Sequence, residues 1–141
     1  MIDSETVGEA FIAYLESLQA GTFGTDLFLG EVPLNAPDDA MFVITSGGAP
    51  EVTTPGGGMI KLYNFDINYR STSGKKLERT LFALEEIMNC TACVNLEGFE
   101  TIGISATQFA SDEDIDDERR RIGILAVTIR LYKRRETPIV S

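Results

Sequence analysis

The sequence predicts an α+β fold in which a mainly antiparallel sheet of about five strands is covered by two helices. Two stretches repeat apolar residues at helical spacing, and several others alternate apolar and polar residues, as strands with one buried face do. The predicted order is helix, three strands, helix, two strands. The short connections favour antiparallel pairing, and each amphipathic helix needs a sheet to cover.

The first predicted helix spans residues 5–19, where Val7, Phe11 and Leu15 recur on one face. Residues 26–29 and 40–45 have the composition of two short strands, with a turn rich in Pro, Asn and Asp between them. We therefore expect these two strands to pair as a hairpin.

A loop rich in glycine and proline is predicted over residues 46–58, which include Gly47 and Gly48. Its composition favours a flexible segment. Residues 63–69 follow it and alternate apolar with polar side chains, which is the clearest strand pattern in the sequence.

The second predicted helix is capped by Ser73 and ends at about Asn89. Its leucines lie on one face and most of its charged residues lie opposite. Residues 99–109 and 123–133 then supply the last two strands.

The composition is that of one domain spanning residues 1–141. Apolar residues make up 43% of the chain and charged residues 24%, enough for a core without disulfides or metal. No apolar run approaches the roughly 18 residues of a membrane-spanning helix, and the first residues are acidic where a signal peptide is basic. We expect a protein that is made in the cytoplasm and has no membrane partner.

The sequence lacks the residues that most catalytic chemistry needs. It has no histidine to act as a base, and neither a GxxxxGK[ST] loop nor a GxGxxG motif. The CxxC pair of Cys90 and Cys93 lacks the further ligands of a zinc site, and it follows a predicted helix instead of opening one, as a redox pair does. We predict no enzymatic activity and no cofactor.

An acidic run at residues 112–118 is the strongest candidate for a cation site. Asp112, Asp114 and Asp116 match the first, third and fifth positions of an EF-hand loop. However, Asp117 stands where that loop needs glycine, and Gly123 stands where it needs glutamate. We interpret the run as a solvated turn between the last two strands and predict no bound metal; a metal-dependent enzyme built on this run is an alternative.

Charge is divided along the chain. The net charge is −10, and residues 1–60 contain no lysine or arginine, whereas most basic residues lie near the C-terminus. One copy can therefore present an acidic surface to the basic surface of another, unless folding mixes the two regions. The candidate interface residues are Asp38, Asp39, Gly47, Gly48, Glu51, Asp112, Asp114, Asp116, Asp117, Arg119, Arg120, Arg121, Arg134 and Arg135.

The order and spacing of the predicted elements resemble those of the tail terminator and tail completion proteins of long-tailed bacteriophages. The resemblance covers nearly the whole chain. It rests on the segments FIAYL at 11–15, FLGEVP at 28–33, MFVI at 41–44 and NFDINYR at 64–70, and on the helix that follows over 75–88.

This resemblance implies a structural virion protein of the phage tail. Such a protein forms a ring, typically a hexamer, at the end of the tail tube, stops its polymerisation and offers a docking face to the head connector. The implied partners are other copies of the chain, the tail tube protein and the head-completion or connector protein. DNA is implied only as cargo passing through the lumen, where acidic walls would repel its phosphates.

Two other functions fit the same sequence. One is a head-closure or minor capsid protein of the same phage, which would also be a small assembling domain. The other is a cytoplasmic module that binds a small ligand, for which a defined pocket and saturable binding are expected.

Overall fold

The computed structural model describes residues 4–31, 33, 35–45, 51–53, 59–90, 100–109 and 121–133. Within them the chain forms two helices and six strands. In chain order these are α1 (Ser4–Ser17), β1 (Leu27–Leu29), β2 (Ala40–Thr45), β3 (Glu51–Thr53), β4 (Met59–Ser71), α2 (Gly74–Cys90), β5 (Glu100–Phe109) and β6 (Arg121–Lys133).

All described strands belong to one sheet, in the order β1-β2-β4-β6-β5, with β3 also paired to β4. The pairs β2–β4, β3–β4, β4–β6 and β5–β6 are antiparallel. Two helices on a mainly antiparallel sheet confirm the predicted fold class.

The predicted hairpin of the first two strands is wrong, because β1 and β2 are parallel, with Leu27 opposite Met41 and Leu29 opposite Val43. In a parallel pair, the chain leaves the end of the first strand and must come back to the level of its start before the second strand can begin. Residues 30–39 make this return, which needs few residues because β1 is so short. Gly30 begins the return with a φ of 90°, a backbone conformation that glycine adopts without steric cost.

One further strand lies inside the range predicted as a loop. Glu51–Thr53 forms β3, which pairs with Met59–Lys61 of β4 on the edge of β4 that β2 also uses. A strand of three residues between glycine- and proline-rich segments is too short to show an alternating pattern in the sequence. Residues 46–50 and 54–58 lie outside the described residues, so the flexibility expected of them stays a prediction.

The core lies between the two helices and one face of the sheet. Phe11 of α1 stacks on Phe65 of β4, with the ring centroids 5.4 Å apart, and both side chains are fully buried. On α2, the buried residues Leu77, Leu81, Leu84 and Met88 confirm the predicted apolar face. Helix α1 packs on β1, β2 and β4, whereas α2 packs on β4, β5 and β6.

Gly123 of β6 allows α2 to approach the sheet closely. A Cβ atom at this position would lie 2.3 Å from Cδ1 of Leu81 and 3.2 Å from Cδ1 of Leu77. Both leucines are buried, so they have little room to move. The helix therefore sits directly on the backbone of β6.

Two side chains of α2 also bind the outer edge of β5, the last strand of the sheet. The Asn89 side chain accepts a hydrogen bond from the Ala106 N–H (2.9 Å) and donates one to the Ala106 carbonyl (2.8 Å). One turn earlier, the Glu85 carboxylate accepts a hydrogen bond from the Gln108 N–H at 2.7 Å. These bonds occupy backbone groups that an edge strand otherwise offers to another chain.

Candidate functional site

Four of the predicted interface residues fall in the described part of the chain: Asp38, Asp39, Glu51 and Arg121. The structure brings three of them to one end of the sheet: Asp38 and Asp39 precede β2, Asp39 bonds Ser71, and Ser71 is the β4 partner of Arg121. Glu51 begins β3 opposite Lys61, toward the other end of β4. The others lie outside the described residues, namely Gly47, Gly48, Asp112, Asp114, Asp116, Asp117, Arg119, Arg120, Arg134 and Arg135.

Asp39 is bound within its own chain. Its carboxylate accepts hydrogen bonds from the Ser71 hydroxyl at 2.5 Å and from Nζ of Lys76 at 2.6 Å. Ser71 is fully buried at the end of β4, and its Oγ also accepts a hydrogen bond from the Ser73 N–H. Asp39 therefore joins the segment before β2 to the first turn of α2.

This contact changes the ionisation of both charged partners. The hydrogen bond from Lys76, and after it the bond from Ser71, lowers the pKa of the Asp39 carboxyl. The same bond raises the pKa of Lys76. Both charges are thus stabilised at neutral pH, but Lys76 is 55% exposed, so the energy of this ion pair is that of a surface contact.

Arg70 holds the same segment from the other face of the sheet. Its Nη2 donates to the Pro37 carbonyl at 2.9 Å and to the Ala36 carbonyl at 3.4 Å. The backbone just before β2 is therefore fixed on both sides, and the exposed residue Asp38 lies within this fixed segment.

Basic residues gather around the first two turns of α2. Lys75, Lys76 and Arg79 are exposed there, and the guanidinium of Arg121 lies beside Gly74, where a Cβ atom would meet it at 2.9 Å. Glu78 lies among these basic residues, and the later turns of α2 are acidic, with Glu85 and Glu86. The basic patch thus belongs to the N-terminal end of α2 and to the start of β6.

The residues around α1, over the β1 edge of the same sheet face, are acidic. Glu9 and Glu16 of α1, Asp26 before β1 and Glu31 after it lie on the part of the chain that has no lysine or arginine. Since α1 covers the β1 side and α2 the β5 side, these acidic residues lie over other strands than the basic patch. Asp39 is the exception, because it pairs with Lys76 inside that patch.

An apolar groove of about 290 Å³ opens on this acidic side. Its lining residues are Glu9, Ile12, Ala13, Glu16, Phe23 and Leu29. Phe23 is 54% exposed, and its backbone N–H donates to Oε2 of Glu16 at 3.1 Å, which fixes the loop against α1. We define this feature as the α1 groove.

Sequence reasoning missed the α1 groove. Its signal is Phe23, an aromatic residue between Gly21 and Gly24 in a loop that otherwise has no large apolar side chain before Leu27. A lone aromatic residue in a polar loop is compatible with burial or exposure, and only the fold distinguishes them.

Within the described ranges, no group of three or more Cys, Asp or Glu residues is arranged to hold a metal ion. The acidic run at 112–118 is not part of those ranges. Among the helices described here, neither is long and apolar enough to cross a membrane.

Comparison with solved structures shows a shared fold at low sequence identity. A chain in the structure of the virion of a native gene transfer agent particle superposes with a TM-score of 0.60 at 13% identity. The match covers 84% of this chain and 91% of that one. No protein-family model and no curated protein matches the sequence.

Proposed function

We propose that this chain is a structural virion protein that closes into a ring at the end of a phage tail tube. There it stops tube polymerisation and offers a docking face to the head connector, while DNA passes through the lumen. The observation that carries the proposal is the fold shared with a chain of a gene transfer agent virion over most of both chains. The resemblance of the element order to tail terminators gives the specific role.

The distribution of charge supports assembly of copies with one another. A head-to-tail contact between two different surfaces closes into a ring when its rotation divides a full circle. In this chain the acidic residues around α1 and the basic residues around the start of α2 lie over different strands of one sheet face. Opposite charges on the two faces of such a contact set its orientation and exclude like-to-like pairing.

The test is an assembly reaction with the tail tube protein of the same virus. Tube protein is polymerised with and without this chain, and tube lengths and ends are recorded by electron microscopy. We expect shorter tubes that carry a ring at one end, because a terminator blocks addition of further subunits. An unrelated acidic domain of similar mass serves as the control.

The same reaction separates the proposal from a head-closure role. A head-closure protein would bind the connector but leave tube length unchanged. Unchanged tubes together with connector binding would therefore replace the terminator assignment, and absence of binding to either partner would remove the virion assignment as well.

A further inference from the structure

We propose that the α1 groove is the docking site for residues 134–141 of a neighbouring copy of this chain. The inference rests on the ring described above and names the contact that joins its subunits. The groove is apolar along Ile12, Phe23 and Leu29, with the carboxylates of Glu9 and Glu16 among its lining residues. It therefore suits a segment that combines apolar side chains with positive charge.

Residues 134–141 have this character. Their sequence, RRETPIVS, begins with two arginines that follow Lys133 and continues to the apolar pair Ile139 and Val140. The arginines can pair with Glu9 and Glu16, since guanidinium groups bind carboxylates in a two-pronged geometry. Proline before the apolar pair favours the extended backbone that lies along a groove.

The size of the groove matches the proposed occupant. An engineered cavity of about 150 Å³ is large enough to bind benzene. The α1 groove, at about 290 Å³, therefore has room for two branched aliphatic side chains. Phe23, with 54% of its surface exposed, supplies the largest apolar area for them to cover.

Sheet geometry favours the segment of a second copy over the chain's own as the occupant. Leu29 lies in one row with Val43, Ile67 and Leu125, whereas Lys133 ends β6 at the opposite end of the sheet. At about 3.3 Å per residue along β6 and about 4.8 Å per strand across the sheet, Lys133 and Leu29 are about 30 Å apart.

The reach of the segment is shorter than this. Val140 is seven residues beyond Lys133, and seven extended residues span at most about 25 Å, even without the detour over the helix layer. The segment of a second copy can approach the groove from any direction, so it meets no such limit.

A labelled peptide tests the contact directly. A fluorescent peptide with the sequence of residues 134–141 is titrated at low salt with a chain that ends at Lys133, whose groove no neighbouring copy can fill, and binding is followed by anisotropy. The substitutions below are made in this chain. We expect saturable binding that weakens at least about tenfold for Phe23→Ser and for Glu9→Lys, given that tenfold corresponds to about 1.4 kcal/mol. Circular dichroism melts confirm that both variants fold.

Two controls make the result specific. Phe82→Ser removes an equally exposed phenylalanine, 60% exposed on α2 and away from the groove, and should leave binding unchanged. A peptide with both arginines replaced by glutamate should bind Glu9→Lys better than it binds the wild-type protein. No saturable binding, or equal binding to wild type and Phe23→Ser, overturns the proposal.

The oligomeric state of a chain that ends at Lys133 distinguishes this inference from the proposed function. If the truncated chain still forms the ring that the full chain forms, residues 134–141 do not join the subunits, and the docking inference is wrong while the proposed ring is retained. If the peptide binds the groove but the full chain neither forms a ring nor caps tubes, the proposed function falls and the docking site remains.

Discussion

At the scale of single residues, Gly123 shows how closely the helix layer approaches the sheet. We expect Gly123→Ala to lower the free energy of unfolding by about 1–3 kcal/mol, the usual effect of an extra group in a filled core. The new Cβ atom would lie 2.3 Å from Leu81 Cδ1, which is itself buried. Chemical denaturation of the variant measures the loss.

Gly103→Ala is the matched control for this substitution. Gly103 also lies in a strand, but a Cβ atom there would meet no described atom within 4 Å. Its stability should change by no more than about 0.5 kcal/mol. Similar losses at both positions would mean that backbone conformation, and not contact with α2, makes glycine necessary at 123.

A second residue-scale prediction concerns the pH dependence of the contact between Asp39 and Lys76. The pKa of Asp39 is lowered in the folded chain, so its contribution to stability is present above the unfolded pKa of about 3.9 and is lost as the pH falls. Asp39→Asn should therefore cost up to about 1 kcal/mol at pH 7. The difference from wild type should shrink as the pH falls below about 3.9.

Unfolding in urea at a series of pH values tests this dependence. Glu31→Gln, which neutralises an exposed carboxylate, is the control for the change in net charge. Lys76 gives the contact a dependence on high pH as well. Because its pKa is raised in the folded chain, its contribution to stability is present below the unfolded pKa of about 10.4 and is lost as the pH rises above it. A loss that is the same at pH 7 and pH 3 would show that Asp39 acts by packing and not by charge.

At the scale of secondary-structure elements, α2 stabilises the sheet and also protects its edge. Asn89→Ala removes two hydrogen bonds to Ala106, so we expect a loss of about 1–3 kcal/mol. Combined with Glu85→Ala, it should also expose the edge of β5 and increase light scattering with protein concentration. Denaturation and static light scattering measure the two effects separately.

Glu86→Ala provides the control, since Glu86 is an exposed residue on the same helix turn and the substitution has the same effect on helix propensity as Glu85→Ala. It should leave the scattering unchanged. Equal scattering from the double variant and from Glu86→Ala would show that α2 does not protect the edge of β5 from association with other chains.

Elements with a strong periodic pattern were predictable from sequence. Ser73 caps α2 through its Oγ, which accepts the Lys76 N–H at 3.2 Å, and the alternation over 63–69 marks the buried face of β4. Such patterns report burial directly. The predicted strand over 123–133 is the observed β6, extended by two residues at its start.

Pairing partners and short strands were not predictable in the same way. The parallel pairing of β1 with β2 depends on the path of residues 30–39, which composition does not encode. Strand β3 has three residues, too few to show a period, and it forms because β4 extends far enough to pair with it. Asp39 was predicted at an interface from its charge, whereas its partner Lys76 is distant in the sequence.

At the scale of the whole molecule, acidic and basic residues are unequally distributed over the surface of the folded chain. The acidic residues around α1 and the basic residues around the start of α2 lie over different strands, and the pair of Asp39 with Lys76 is where the two regions meet. Contacts between such surfaces weaken with salt, because the screening length falls from about 10 Å at 0.1 M to about 3 Å at 1 M. We therefore expect the assembly of copies to be strongest at low ionic strength.

The solution mass of the full chain, measured by native mass spectrometry and light scattering over a range of salt and protein concentration, tests head-to-tail assembly most directly. We expect a closed species of about six copies of the 15.4 kDa chain that dissociates as salt is raised. A monomer at every concentration in low salt, or an assembly that salt strengthens, would contradict it.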